Sequence, residues 1–235
     1  MRVEDRIAKV KWHHSFEVVP GVMTPGAYNP VGLWRRLQLP EDLSGRRVLD
    51  IGALDGFFSF ACESRGAQVV AVDYINKNKT GFALASELRH SKVEFLWENI
   101  YHLSPQRIGQ FDIILLLGVI YHLPDPCLAL EIVRNLTHDT GAAYVESTCV
   151  DDTIRLNSGT ADTSALRDLP IAIFADRNET SFWDFNSACL RRLLNNAQFK
   201  IKREEKWGYR MLAEAAAVKD EERAKASSRS RGVVT

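Results

Sequence analysis

The sequence predicts an α/β chain built on a mostly parallel seven-stranded sheet that ends in an antiparallel hairpin, with an N-terminal arm and an insertion after the fifth core strand. Between residues 47 and 147, apolar runs of strand length alternate with segments of helical period, the pattern of repeated βα units. The first run, Val48-Leu49-Asp50-Ile51, passes into a turn of small and acidic residues, Gly52-Ala53-Leu54-Asp55-Gly56. Two strands near 199–206 and 210–218 flank Trp207-Gly208-Tyr209, a short glycine-containing link of hairpin type.

Taken in order, residues 3–11 read as a short amphipathic helix leading into Trp12-His13-His14-Ser15-Phe16. The turn-rich stretch Pro20 to Gly26 follows. This arm has two readings, a lid over the strand ends or a strap whose Trp12 plugs the core. Residues 30–39 carry Val31, Leu33, Trp34, Leu37 and Leu39 at helical spacing before Pro40. After the helix that begins at Phe57, a second buried strand, Gln68 to Val72, closes at Asp73. A crossover helix is expected over Lys79 to His90, a third strand over Val93 to Leu96, and a fourth over Phe111 to Leu117, apolar throughout as burial on both faces requires. A helix over 126–137 and a fifth strand over Gly141 to Ser147 complete the repeats. Regular periodicity then disappears from 148 to 185, a polar insertion too long for an ordinary connection. A helix is expected over 186–197, and residues 219–235 read as a disordered tail. The whole is expected to be one domain over 1–218, with arm 1–45 and acceptor-side insertion 148–185.

The turn at 52–56 marks a nucleoside site. Glycine at 52 and 56 lets backbone approach a ligand, and a carboxylate at Asp73 can accept both hydroxyls of a ribose laid over the strand ends. The dinucleotide fingerprint would need glycine where Leu54 and Phe57 stand, and the lysine-bearing phosphate loop is absent. Asp50 and Asp55 suit a cofactor with a cationic amino-acid end better than a diphosphate, which points to S-adenosyl-L-methionine. Thirty basic and thirty acidic residues cancel, so no overall field attracts nucleic acid or an anionic membrane. No stretch approaches ~20 apolar residues and the start lacks an apolar leader core, so a soluble, cytoplasmic protein is expected. Cys62, Cys127, Cys149 and Cys189 form no CxxC pair, which suits reduced, buried thiols and no metal site.

The string D-x-G-x-x-D-G, with an acidic end to the next strand, resembles the class I methyltransferases, whose fold is Rossmann-like. Trp12-His13-His14, Val22-Met23-Thr24-Pro25-Gly26, the run Val48 to Phe60, Leu117-Gly118-Val119-Ile120-Tyr121-His122-Leu123, and Phe182-Trp183 with Cys189-Leu190 narrow the likeness. Together they resemble the family related to the tRNA wobble-uridine 5-oxyacetic acid (carboxymethyl) transferases, over residues 12 to 218. The resemblance implies a cofactor held by Trp34 or its neighbours, Gly52, Asp73 with Tyr74, Asn99, Ile100 with Tyr101, Leu117 and Tyr121; the reading of the turn adds Asp50, Asp55 and Gly56, and Gly118 at the tip of the fourth strand is a further candidate. In the tRNA enzymes a lysine of the arm, a tyrosine after strand four and an arginine opening the last strand hold the carboxymethyl group. Tyr121 and Arg210 match the latter two, and His14 replaces the lysine. Loss of that fixed cation favours plain methyl transfer.

His14 and His122 are candidate bases, Tyr121 a wall beside the donor, and His13, Trp183 and Arg210 candidate acceptor contacts. Each histidine can equally be a satisfied structural imidazole. Three functions stay open: O-methylation of a small-molecule or saccharide hydroxyl, modification of a tRNA wobble uridine, and cofactor binding without catalysis. The tRNA reading needs a basic surface from residues scattered along the chain, among them Arg35, Arg36, Arg46, Arg47, Arg191, Arg192, Lys200, Lys202 and Arg203.

Overall fold

In a computed structural model of the chain, residues 2–175 and 180–218 are described. The expected tail and Asp176 to Glu179 of the insertion lie outside them. Seven strands form one sheet in the order β12-β13-β7-β6-β3-β4-β5. They are β3 (Arg47–Ile51), β4 (Gln68–Asp73), β5 (Glu94–Trp97), β6 (Phe111–Leu117), β7 (Thr137–Thr148), β12 (Phe199–Trp207) and β13 (Arg210–Ala217). The described residues divide into two compact units, one of residues 2–103 with Ile113–Leu116, the other of Ser104–Asp112 with residues 117–175 and 180–218.

In the first unit, β3 runs parallel to β4 and to Ile113–Leu116 of β6, and β4 runs parallel to β5. Val48, Leu49, Ile51, Ala71, Val72, Ile114, Leu115 and Leu116 are all buried, which is why these strands read as unbroken apolar runs. Helix α2 (Val31–Leu37) leads into β3, α3 (Phe57–Glu63) connects β3 to β4, and α4 (Phe82–Leu88) connects β4 to β5. The second crossover helix is shorter than expected, because Gly81 caps it and Lys77–Lys79 form a separate 3-10 turn.

The arm opens with α1 (Val3–Ile7), shorter than the expected 3–11, and then folds into a hairpin of β1 (Glu17–Val19) and β2 (Val22–Met23) about Pro20-Gly21. Trp12 is buried in a cluster with Ile7, Phe16, Val18, Ala53, Phe60, Ala71, Phe82 and Ala85, its indole N–H donating to the Ile7 carbonyl at 3.0 Å. At Trp12 the arm is thus a strap: a side chain plugging the core. Gly81 makes room for it, since a Cβ there would lie 2.2 Å from the Trp12 ring.

In the second unit, β13 pairs antiparallel with both β7 and β12. Strand β7 starts at Thr137, straight after α6 (Pro126–Leu136), earlier than the expected Gly141, because His138 to Thr140 extend it with exposed polar residues that carry no apolar signal. The short helix α5 (Pro105–Ile108) precedes β6, and α7 (Ser187–Asn196) precedes β12. Asp125 caps α6 through the Leu128 N–H and Asn186 caps α7 through the Cys189 N–H.

The stretch that reads as aperiodic holds two antiparallel hairpins, β8 (Thr153–Leu156) with β9 (Gly159–Asp162) and β10 (Ala172–Phe174) with β11 (Trp183–Phe185). Strands of three or four residues are too short to display a period. Asp151 anchors the stretch, accepting from the Ser187 N–H and hydroxyl at 2.7 and 2.9 Å and from Lys206 Nζ at 2.6 Å. Burial raises its pKa, but these donors outweigh it and hold the carboxyl at about 2. All four cysteines are free; Cys62, Cys149 and Cys189 are buried as expected, whereas Cys127 is exposed at the start of α6, where its side chain faces away from the packed side.

A methyl group at Gly81 must displace the buried Trp12 ring. Gly81→Ala is expected to destabilise the chain by about 1–3 kcal/mol, measured as the shift in chemical unfolding. Wild-type stability would show that Trp12 leaves its cluster at no cost.

Candidate functional site

The turn between β3 and α3 is shaped by three left-handed residues at alternate positions, Gly52 (φ 79°), Leu54 (φ 54°) and Gly56 (φ 88°). Glycine adopts this conformation freely, whereas leucine does so at a cost of roughly 1–2 kcal/mol. Leu54 is held there from both sides: its N–H donates to Asp73 Oδ2 at 2.8 Å, and its carbonyl accepts from the Thr80 hydroxyl at 2.7 Å. The departure from a glycine-rich turn is therefore one of composition, with the glycine-like backbone retained.

Asp73 ends β4 and is 4 % exposed. Its second oxygen accepts the Ile75 N–H at 2.8 Å. A carboxylate has about four acceptor positions, and each Asp73 oxygen uses one on the backbone, so each retains a lone pair. Two such oxygens on one rigid carboxylate match the spacing of a vicinal diol, and three left-handed residues in the adjoining turn keep backbone close: this pair of acceptors fits the ribose of an S-adenosyl cofactor. Burial raises the Asp73 pKa, with the Ile75 and Leu54 amides opposing it.

The two turn acids face inward. Asp50, 2 % exposed, accepts the Ser59 hydroxyl at 2.6 Å. Asp55, fully buried, accepts the N–H groups of His13 and His14, each at 2.8 Å, and pairs with His14 Nδ1. A cationic ligand would therefore meet their field before their oxygens. His14 is buried beside Tyr28, Phe57 and Phe58, and His13 is exposed. Trp34 is half-buried, edge-on to Phe57 and covered by the Arg65 guanidinium at 4.6 Å. Beyond β4 and β5, Tyr74 and Asn99 are exposed, Ile100 is buried and Tyr101 is half-buried, with Asn99 accepting the Tyr101 N–H at 3.1 Å. Tyr74 shares its carbonyl with Trp97, whose indole donates to it at 2.9 Å.

The second unit gathers its own cluster. Arg210, opening β13, binds both carboxylate oxygens of Glu146 through Nε and Nη2, and its Nη1 lies 3.4 Å from the Tyr121 hydroxyl. Burial alone would lower the Arg210 pKa; the bidentate bond and charge of Glu146, with Tyr121, raise it instead. Leu117 ends β6 and Gly118 follows it, both half-buried, and the left-handed Gly118 (φ 72°) donates its N–H to the Glu146 carbonyl at 3.1 Å. His122 is half-buried, its Nδ1 2.6 Å from the Thr180 carbonyl, while Phe182 N–H donates to the Tyr121 carbonyl at 2.9 Å and the Trp183 indole to the Pro124 carbonyl at 3.3 Å. The β10–β11 hairpin is thereby stitched to residues 120–124. Trp183 stacks on the exposed Phe174, ring centroids 4.4 Å apart.

The structure thus brings His13, His14, Asp50, Asp55, Gly56 and Asp73 together in one unit, and Gly118, Tyr121, His122, Trp183 and Arg210 together in the other. Sequence reading missed Glu146, Ser59, Thr24 and Thr80. Glu146 had a usable signal, a carboxylate directly after the apolar run Ala142 to Val145 within the fifth strand; the hydroxyl residues had none, because serine and threonine are ordinary at buried and exposed positions alike.

Comparison with known proteins adds a family and a fold. A family model described as a methyltransferase domain matches residues 31–204. The ubiquinone biosynthesis O-methyltransferase of Bordetella avium (strain 197N) is 34% identical over 100 residues, 43% of this chain and 42% of that protein. The enzyme of the same name from Xanthomonas oryzae pv. oryzae (strain PXO99A) is 27% identical over 121 residues, 52% and 50% of the two chains. The chain spans about half the length of these curated relatives or less. Among solved structures, the N-terminal domain of EvdMO1 with S-adenosylhomocysteine bound superposes with a TM-score of 0.64 at 17% identity, covering 91% of this chain and 94% of that one. The 1,6-didemethyltoxoflavin-N1-methyltransferase of Burkholderia thailandensis, also with S-adenosylhomocysteine, gives a TM-score of 0.57 at 19% identity, over 80% and 76%.

Asp50 generates a test of the turn's electrostatics. Burial pushes its carboxyl up to about 6, against the Ser59 hydrogen bond and the nearby His14. A raised carboxyl favours the folded state fully below its unfolded value near 4, and that contribution is lost as pH rises through about 6, on the order of 2–3 kcal/mol. Asp50→Asn keeps an acceptor for Ser59 and has no proton to lose. Urea unfolding from pH 4 to 8 is expected to show the variant gaining on wild type as pH rises through about 6, then a constant difference. Parallel curves would contradict an ionisable, buried Asp50.

Proposed function

The chain belongs to the methyltransferase-domain family, and from that premise we propose that it transfers a methyl group from S-adenosyl-L-methionine to a hydroxyl of a small-molecule or saccharide acceptor. The observation that carries the cofactor is the pairing of the left-handed turn 52–56 with Asp73, whose oxygens each keep a lone pair after binding backbone. The printed function of the curated relatives, O-methylation, supports a hydroxyl acceptor, and S-adenosylhomocysteine in solved neighbours supports the donor. Residues 1–218 would act as one methyltransferase domain.

When bound, the cofactor supplies an activated methyl sulfonium. The protein then has to hold the nucleoside, align the acceptor, exclude water and take a proton. We assign ribose binding to Asp73, close backbone approach to Gly52 and Gly56, support of the turn to Asp50 and Asp55, and nucleoside contacts to Tyr74, Asn99, Ile100 and Tyr101, with Trp34 flanking. In the second unit, Leu117 and Gly118 would supply backbone, Tyr121 would offer a hydroxyl and a ring face suited to a cationic ligand, and Trp183 an apolar wall for the acceptor. His14 and His122 are the proton acceptors proposed for the hydroxyl, with His13 beside the first. No described helix is long and apolar enough to cross a membrane, and we infer a cytoplasmic setting from the cofactor and the free thiols.

One observation favours a second reading, a wobble-uridine carboxymethyl transferase: Tyr121 and Arg210 lie side by side, as the two groups that hold a carboxylate should. Against it, Arg210 is already bidentate to buried Glu146, which offsets the charge a carboxylate would seek. Arg191 and Arg203, two of the cations an RNA surface would need, are paired with Glu204 and Glu214.

Asp73→Ala would strip two backbone N–H groups of their acceptor along with the ribose, so the cleaner variant is Asp73→Asn. Loss of a charge-assisted acceptor costs about 1.5–3 kcal/mol, and calorimetry is expected to show S-adenosylhomocysteine binding weakened by roughly 10- to 150-fold in a folded variant. Equal affinity would remove Asp73 from the site. Incubation with labelled S-adenosyl-L-methionine, extracted metabolites and bulk tRNA identifies the acceptor class: label in the metabolite fraction is expected, and label confined to tRNA would overturn the small-molecule reading.

A further inference from the structure

We infer that Asp55 is a positioning residue which clamps the N-terminal arm onto the cofactor turn, so that arm docking and cofactor binding are thermodynamically linked; this rests on the cofactor reading above. Asp55 is fully buried, and every partner named for it comes from the arm: the His13 and His14 amides and His14 Nδ1. With the arm displaced, this carboxylate loses the donors that fix its position and can turn toward water instead. Asp55 sits between left-handed Leu54, whose N–H holds the ribose acceptor Asp73, and left-handed Gly56, which caps α3. Arm donors that hold the Asp55 side chain therefore restrain the residue between the two that define the turn.

The arm is built to present those three donors. His13 and Ser15 exchange hydrogen bonds with Tyr28, at 3.0 and 2.8 Å, and the buried Thr24 hydroxyl joins the His14 carbonyl at 2.6 Å to the Phe16 N–H at 2.9 Å. Gly26 lies against the same backbone: a Cβ there would fall 2.2 Å from the carbonyl carbon and oxygen of His14. Backbone cannot yield as a flexible side chain would, so any larger residue at 26 must push His13 and His14 away from Asp55. Gly26→Ala thus disturbs the clamp from the arm side and alters neither the turn nor Asp73.

If the two events are linked, each strengthens the other by the same factor, commonly about 5- to 150-fold. The full chain is digested briefly with trypsin, which reads arm release as cleavage after the exposed Lys11, with and without saturating S-adenosylhomocysteine. Calorimetry on wild type, Gly26→Ala and Asp55→Asn reads affinity for the same probe. Cleavage after Lys11 is expected to slow several-fold in wild type with the probe, and both variants are expected to cut faster and to bind at least about 5-fold more weakly. Wild type that binds the probe with no change in cleavage would overturn the clamp while leaving the cofactor reading intact, and this arm of the test needs no variant to fold. A folded Gly26→Ala that releases its arm and binds like wild type would do the same. Wild type that fails to bind the probe would overturn both.

Discussion

The arrangement depends on one constraint, the left-handed backbone at residues 52, 54 and 56. Leaving β3 in that conformation turns the chain sharply enough for the Gly52 and Ala53 amides to reach the Val72 carbonyl and for the Leu54 amide to reach Asp73. A leucine in the middle position makes the turn costlier than an all-glycine version would be. The surroundings compensate with hydrogen bonds to Leu54 on both sides and a buried acid on each flank, Asp50 satisfied by Ser59 and Asp55 satisfied by the arm. Local strain held by a well-determined neighbourhood is the usual signature of a place where backbone must meet a ligand.

The second unit solves a different problem, that of keeping charge in a half-buried cluster. Arg210 and Glu146 neutralise one another through two parallel bonds, the strong geometry for a guanidinium and a carboxylate. Tyr121 is left beside a pair with no net charge, which suits contact with a neutral acceptor or a cationic donor better than capture of an anion. The insertion earns its structure in the same way: Asp151 ties its beginning to α7 and β12, while Phe182 and Trp183 tie its end to residues 121–124.

The parallel core was legible because strands buried on both faces are apolar along their length, and Asp73 because an acid ending such a strand breaks the pattern. The sheet's closing hairpin was legible from Trp207-Gly208-Tyr209. What escaped was structure without a period. Strands of three or four residues in the insertion alternate too briefly to register, and Trp12 in an aperiodic arm gave equal support to lid and strap until its neighbours in space were known. Neither Gly26 nor Gly81 is left-handed, so their importance lies in what presses against them. Asp55 was legible as a site residue by its place in the turn, but its partners lie some forty positions away in sequence, and nothing local announces them. Leu54 looked like a departure from the family turn because side-chain identity was visible and φ was not.

That an S-adenosyl cofactor sits on this turn is tested most directly by hydrogen exchange of individual backbone amides, with and without S-adenosylhomocysteine. The Leu54 and Ile75 amides both donate to Asp73, so a ribose held by that carboxylate should slow exchange at both, together with the rest of residues 52–56. Protection confined to other strands, or exchange at Leu54 and Ile75 unchanged under saturating ligand, would contradict the placement of the cofactor on the turn and on Asp73.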